Sequence, residues 1–114
     1  MLREHHKVAI YLEGHFSTDY GKMGIGVLRY LPNSIVAVID SDNDGKNTNE
    51  FNSIKRSVPI VSNLDLAISN GAEVLVLGIA PSGGKIPKSW FLIIDEAISK
   101  NLSIINGLHD LLSL

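Results

Sequence analysis

The chain has no cysteine. Disulfides, thiolate zinc sites and a cysteine nucleophile are therefore excluded. Histidine is scarce, with four in the chain. The adjacent pair His5-His6 lies on an extended stretch, where neighbouring side chains point to opposite sides. That is poor ligand geometry, and no metal site is expected. Long hydrophobic runs are missing as well. The longest, "IVAVI" and "VLVLGIA", fall far short of the roughly 20 residues a membrane span needs. Nothing reads as a signal peptide, because "MLREHHK" is charged and leads straight into a strand-like run. A cytoplasmic protein with no membrane partner is expected. An excess of positive charge is also lacking: the net charge is −2 and the pI about 6.0. No basic field points to nucleic acid.

Apolar side chains are plentiful. Hydrophobic residues make up 45% of the 114 and the mean hydropathy is +0.17. That surplus fits parallel strands covered on both faces, which read as unbroken apolar runs. The length suits a single domain, residues 1–114, able to bury about two thirds of its unfolded surface.

Apolar β-branched runs alternate with helical patterns, the signature of an α/β sheet. Residues 7–14 ("KVAIYLEG") read as the first strand and 22–31 ("KMGIGVLRYL") as a helix with Met23, Val27, Leu28 and Leu31 on one side. The glycines inside it, Gly24 and Gly26, cost helix stability. They make sense as places where helix and sheet backbones come close. Strand-like runs follow at 35–40 and 58–62, the latter a short edge strand, with a polar loop between them. Ser62 and Asp65 open a short helix in the manner of a capping box. It carries Leu64, Ala67 and Ile68 toward the core and stops at Asn70-Gly71. Residues 73–80 read as the central strand. Pro87 sits at the first turn of the next helix, whose core stripe is Trp90, Ile94, Ala97 and Ile98. "LSIINGL" is the last strand, and "HDLLSL" reads as the start of a further helix. The expected architecture is a Rossmann-like three-layer α/β fold with a five-stranded parallel sheet in the order 3-2-1-4-5. Its winding reverses between strands 1 and 4, where ligands collect at the carboxyl ends.

The dipeptide Gly-Lys recurs at Gly21-Lys22, Gly45-Lys46 and Gly84-Lys85, each in a loop leaving a strand's carboxyl end. The third, "GIAPSGGKIP", is nearly a phosphate-binding loop. Ile79 replaces its leading glycine and Ile86 its magnesium-binding hydroxyl. None of the three is a Walker loop. Adjacent strands lie about 4.8 Å apart, however, so these loops overhang one rim. Lysines and backbone N–H groups gathered there suit a phosphate or carboxylate. The alternative, solvated lysines and a tight Gly83-Gly84 turn, stays open. Asp40 ends strand 2, where dinucleotide-binding domains place a ribose-binding acid. The GxGxxG that should follow strand 1 is absent, and Asp40-Ser41-Asp42 serves equally well as a turn cap. His109-Asp110 and Glu13-His15 are acid/base candidates without a nucleophile elbow, so no catalytic residue is assigned.

The stretches "EGHFS", "GKMGIGVLRY", "VAVIDSDNDGK", "PIVSNLDLAI", "VLVLGIAPSGGKIPKSW" and "IINGLHDLL" occur in that order. Together they resemble the N-terminal Rossmann-like domain of a bacterial and archaeal family known as a domain of unknown function. The resemblance covers nearly the whole chain from Val8. The family pattern often has Lys-Thr where this chain has Lys22-Met23. In that family the domain precedes a larger P-loop NTPase-like domain, and some members are D-glutamate N-acetyltransferases using acetyl-CoA. The resemblance implies a rim made of Gly14, Lys22, Asp40, Ser41, Gly45, Lys46, Ala80, Pro81, Ser82, Gly83, Gly84, Lys85 and His109. It implies acetyl-CoA or a nucleotide as the ligand and a P-loop-like domain as the partner. These 114 residues hold no counterpart of that domain, so a binding module inactive by itself is expected. Part of an N-acetyltransferase and an oligomerisation domain are the alternatives.

Overall fold

The structure, a computed structural model, describes residues 5–14, 16, 22–51, 54–78 and 88–106. Among the described residues, five strands and three α-helices follow one another: β1 Val8–Tyr11, α1 Lys22–Tyr30, β2 Ile35–Ile39, β3 Ile60–Val61, α2 Leu64–Ser69, β4 Val74–Leu77, α3 Lys88–Ser99 and β5 Ser103–Asn106. Two short 3-10 turns, Ser41–Asn43 and Thr48–Glu50, lie between β2 and β3. The sheet runs β3-β2-β1-β4-β5 and every pairing is parallel. This is the order expected from the alternation of elements. Each strand is shorter than the segment read from the sequence, while Leu12 and Gly78, just past β1 and β4, remain buried.

The central strands are buried on both faces. Val8, Ala9, Ile10 and Leu12 of the first segment and Leu75 and Leu77 of β4 are wholly inaccessible. Ile10 and Leu12 point toward α1, since a Cβ added at Gly24 or Gly78 would strike them. Tyr11 and Ile39 point to the other face, where they line a hollow together with Leu64 of α2 and Ile93 of α3. Helices thus cover both sides, as a parallel sheet requires. Val27 and Leu28 of α1 and Leu64 and Ala67 of α2 are buried, with Leu31 and Ile68 half-buried against them. In α3, Ala97 is buried and Ile94 partly so. Ile98 corrects the expected stripe: it is 61% exposed, on the outer edge of the helix.

Capping explains where the helices stop and start. The α2 N-cap is Asn63, whose side chain accepts from Leu66 N at 2.9 Å. The cap therefore sits one residue later than Ser62, which lies in the bend after β3. Gly71 (φ +102°) and Asn101 (φ +65°) take left-handed conformations just past α2 and α3. Ala72 N then reaches Ala67 O, and Leu102 N reaches Ala97 O, closing both helices with Schellman turns. The end of α1 is closed by a residue distant in sequence. The Arg56 guanidinium donates to the carbonyls of Leu28 (3.2 Å), Leu31 (2.6 Å) and Asn33. Burial lowers its pKa, but from so high a value that it stays charged.

The polar loop after β2 is more ordered than its composition suggests. It folds back along the free edge of β3: Ile60 N donates to Lys46 O at 2.9 Å and Thr48 N to Val58 O at 2.9 Å. Thr48 is fully buried, and its hydroxyl accepts from Val58 N and donates to Arg56 O. The expected edge strand is present, and its outer rim is covered.

Candidate functional site at the carboxyl ends of the strands

Two loops leaving β1 and β2 are tied to each other in both directions. After β1 the chain turns at Gly14, whose φ of +74° is disfavoured for residues with a Cβ. Gly14 N donates to Asp40 Oδ1 at 3.2 Å. In return, Glu13 accepts from Ser41: the backbone N–H reaches Oε1 at 2.8 Å and the hydroxyl reaches Oε2. Asp40 is 1% exposed. Its carboxylate also accepts from Asp42 N at 3.2 Å and from Asn43 Nδ2 at 2.7 Å. It is the N-cap of the following 3-10 turn. Of the two roles the sequence left open for Asp40, the structure displays the turn cap.

Gly45 also takes a positive φ, +84°, which turns the chain toward β3. The Lys46 ammonium stands over the Phe51 ring, 5.9 Å from its centroid. Phe51 in turn meets Phe16 edge-on, with centroids 4.6 Å apart. Phe16, from the loop after β1, is buried. This stack binds the β2 loop to the β1 loop a second time.

The third wall of the mouth comes from α1 and β4. Gly24 N donates to Gly78 O at 3.0 Å. A Cβ at Gly24 would lie 2.6 Å from Leu12 Cδ2, and one at Gly78 would lie 2.9 Å from Gly24 Cα. The start of α1 is therefore pressed against the end of β4 across the point where the winding reverses. The expected close approach holds for Gly24. Gly26 differs, since no described residue lies within 4 Å of where its Cβ would stand.

A cavity of about 260 Å³ opens on the other face of the sheet at the same end. Tyr11, Ile39 and Leu64 line it, and α3 adds Leu92, Ile93 and Glu96. Glu13, Ser62 and Asn63 supply the polar part. Burial raises the Tyr11 pKa, and the charge of Glu13 raises it further. The phenol thus stays a neutral donor and acceptor at neutral pH. Glu96 also accepts from Lys100 at 2.8 Å, and Lys100 pairs in addition with Asp65 of α2.

Among the residues predicted for the rim, Gly14, Asp40 and Ser41 are tied together at this end, whereas Gly45 and Lys46 lie where the loop turns back along the free edge of β3, bonded to Ile60. Lys22 opens α1 there, and its side chain lies outside the described residues. So do Ala80, Pro81, Ser82, Gly83, Gly84, Lys85 and His109, together with His15 and Asp110. Sequence reasoning missed Tyr11, Ser62, Asn63 and Glu96 as cavity residues, and Phe16 and Phe51 as its supports. The phenylalanines did leave a signal, being large apolar residues in otherwise polar loops. Among the described residues, no group of three or more His, Asp or Glu could hold a metal ion, and no helix is long and apolar enough to cross a membrane.

Comparison with known proteins agrees with this architecture. The profile of the DUF1611_N family, a Rossmann-like domain of unknown function, matches residues 41–114. The chain belongs to that family. A crystal structure of a DUF1611 family protein from Anabaena variabilis superposes with a TM-score of 0.85 at 40% identity, over 91% of this chain and 30% of that one. Two curated relatives carry the name D-glutamate N-acetyltransferase. The protein from Tritonibacter scottomollicae is 30% identical over 91 residues, 80% of this chain and 25% of its own length. The one from Pseudoalteromonas sp. is 51% identical over 43 residues, 38% of this chain and 13% of its own. The DUF1611_N chain described here thus spans a quarter or less of the length of these curated relatives.

Proposed function

We propose that this DUF1611_N domain is the ligand-binding portion of a larger enzyme of the D-glutamate N-acetyltransferase kind. In this reading it binds a nucleotide, CoA or another anion at the carboxyl ends of its strands and is inactive by itself. The observation that carries the reading is the Gly24–Gly78 contact. It draws the start of α1 and the end of β4 into the mouth already bounded by the cross-tied β1 and β2 loops. A mouth at the reversal of winding is where parallel α/β sheets take their ligands, and in this reading Lys46, whose ammonium stands over Phe51, would supply a cation to the bound anion. The remaining chemistry would come from a second, P-loop-like domain.

A specific feature favours a second reading of the same end. The cavity between α2 and α3 has two carboxylates on its wall, Glu13 and the Lys100-paired Glu96. An acidic wall repels a phosphate and suits an ammonium group, such as that of an amino acid awaiting acylation. In that reading the domain holds the amine substrate, and the acetyl donor sits elsewhere.

Thermal-shift titration with acetyl-CoA, ATP, NAD and D-glutamate separates the readings. A ligand at 100 times its Kd adds about 2.7 kcal/mol, a rise of roughly 10 °C in a domain this size. Stabilisation by acetyl-CoA or a nucleotide supports the first reading and stabilisation by D-glutamate the second. No shift with any of them at millimolar concentration contradicts both.

A further inference from the structure

At the opposite end of the sheet, where α1 finishes and the chain approaches β3, lies a larger hollow of about 610 Å³. It is lined by Arg29, Tyr30, Lys55 and Arg56. We infer that this basic hollow is a second binding site, for a phosphorylated nucleoside, separate from the mouth at the carboxyl ends.

Charge makes the first argument. Among the described residues that line it, three are cations and none is an acid, in a chain whose net charge is −2. Such a concentration of one sign in a concave site draws anions. The end of a helix would ordinarily oppose this, because its unpaired carbonyls carry partial negative charge. Here Arg56 removes that obstacle by donating to the carbonyls of Leu28, Leu31 and Asn33. Those bonds also fix the guanidinium in place. A guanidinium has five N–H donors, so donors remain after these three bonds. A fixed planar fork is well suited to phosphate oxygens. Lys55, exposed beside it, adds a point charge.

Shape and surface make the second. The volume falls within the usual range for small-molecule sites, about 300–1,000 Å³. Tyr30 is 81% exposed, the most exposed of the large hydrophobic side chains described. An aromatic face left open beside a cluster of cations is the pairing that stacks a base while its phosphate is held. A phosphate alone would leave that ring uncovered. An extended polyanion would need a longer basic surface than this single hollow supplies.

The test is isothermal titration of the chain with ADP, pyrophosphate, adenosine and CoA at low ionic strength. ADP should bind saturably with one site in this hollow, and adenosine and pyrophosphate each more weakly. Lys55→Glu should weaken ADP binding by about tenfold or more, since it reverses a charge beside the phosphate. Tyr30→Ser should weaken ADP but not pyrophosphate. Arg56 is left intact because it caps α1. Unchanged far-UV circular dichroism shows that both variants remain folded. Equal or tighter binding of CoA would identify the ligand as the adenosine end of that cofactor, and preference for ADP a free nucleotide. Both results support the inference. Three results overturn it: no saturable ADP binding, pyrophosphate binding as tightly as ADP, or ADP binding indifferent to Lys55→Glu and Tyr30→Ser. If ADP binding instead responds to Lys46→Glu alone, the hollow is refuted while the mouth at the strand ends stands.

Discussion

Replacing Gly78 by alanine should loosen the seam between β4 and α1, and the size of the effect follows from the geometry. Neither Gly24 nor Gly78 is among the glycines of positive φ, so backbone conformation does not forbid a side chain at either position. Space does. The new Cβ would stand 2.9 Å from Gly24 Cα and 2.9 Å from Ile10 Cγ2, where relaxed carbon contacts lie at about 3.5–4.0 Å. One obstacle is backbone held by the Gly24–Gly78 hydrogen bond, so it cannot rotate aside. Overpacking of this kind costs about 1–3 kcal/mol. Alanine's more restricted unfolded chain returns about 0.4–1 kcal/mol. The net loss is about 1–2 kcal/mol. With an unfolding entropy near 2.1 cal/mol/K per residue, the Tm of this domain should fall by roughly 4–8 °C in differential scanning calorimetry. Gly26→Ala is the control. It sits in the same helix with open space around it, so the change should stabilise by about 0.5–1 kcal/mol. A Gly78→Ala protein as stable as the parent, or a Gly26→Ala protein that loses as much, would refute the close-contact argument.

Three further substitutions probe the rest of the framework. Asp40→Asn turns an acceptor of three hydrogen bonds into a group that confronts Asn43 Nδ2 with another donor. The urea midpoint should drop by an amount equivalent to about 1–3 kcal/mol. Arg56→Met strips the carbonyls of α1 of their donors and should cost about 2–3 kcal/mol by the same measurement. Tyr11, whose pKa is raised by burial and then by Glu13, binds its proton more tightly folded than unfolded. Its contribution is therefore complete below the ordinary tyrosine pKa of about 10 and is lost as pH rises beyond it. Alkaline unfolding followed by tyrosinate absorbance should lose its latest-titrating component in Tyr11→Phe.

The strand order was legible because parallel crossovers leave few choices once five apolar runs alternate with helical ones. Burial on both faces made β1 and β4 unmistakable. Legibility stopped where neighbours in space decide between neighbours in sequence. Ser62 and Asn63 are both good N-caps, and only the end of β3 assigns the role to Asn63. Gly24 and Gly26 look alike in the chain, yet only Gly24 faces the β4 backbone. Ile98 fits a helical stripe, but periodicity does not reveal how wide the sheet beneath it is. For the site, the meeting of the loops that carry Gly14, Asp40 and Ser41 followed from topology. The Glu13–Ser41 bonds, the Lys46–Phe51–Phe16 stack and the Arg56 cap join residues many positions apart. No local pattern encodes such contacts.

Backbone-amide NMR of the chain titrated with acetyl-CoA and with D-glutamate tests the central claim most directly. The mouth at the strand ends requires the largest shifts at Gly14, Gly24, Ser41, Gly45 and Gly78, whichever ligand binds. Shifts confined to the amino-terminal end of the sheet, or none with either ligand, would contradict it.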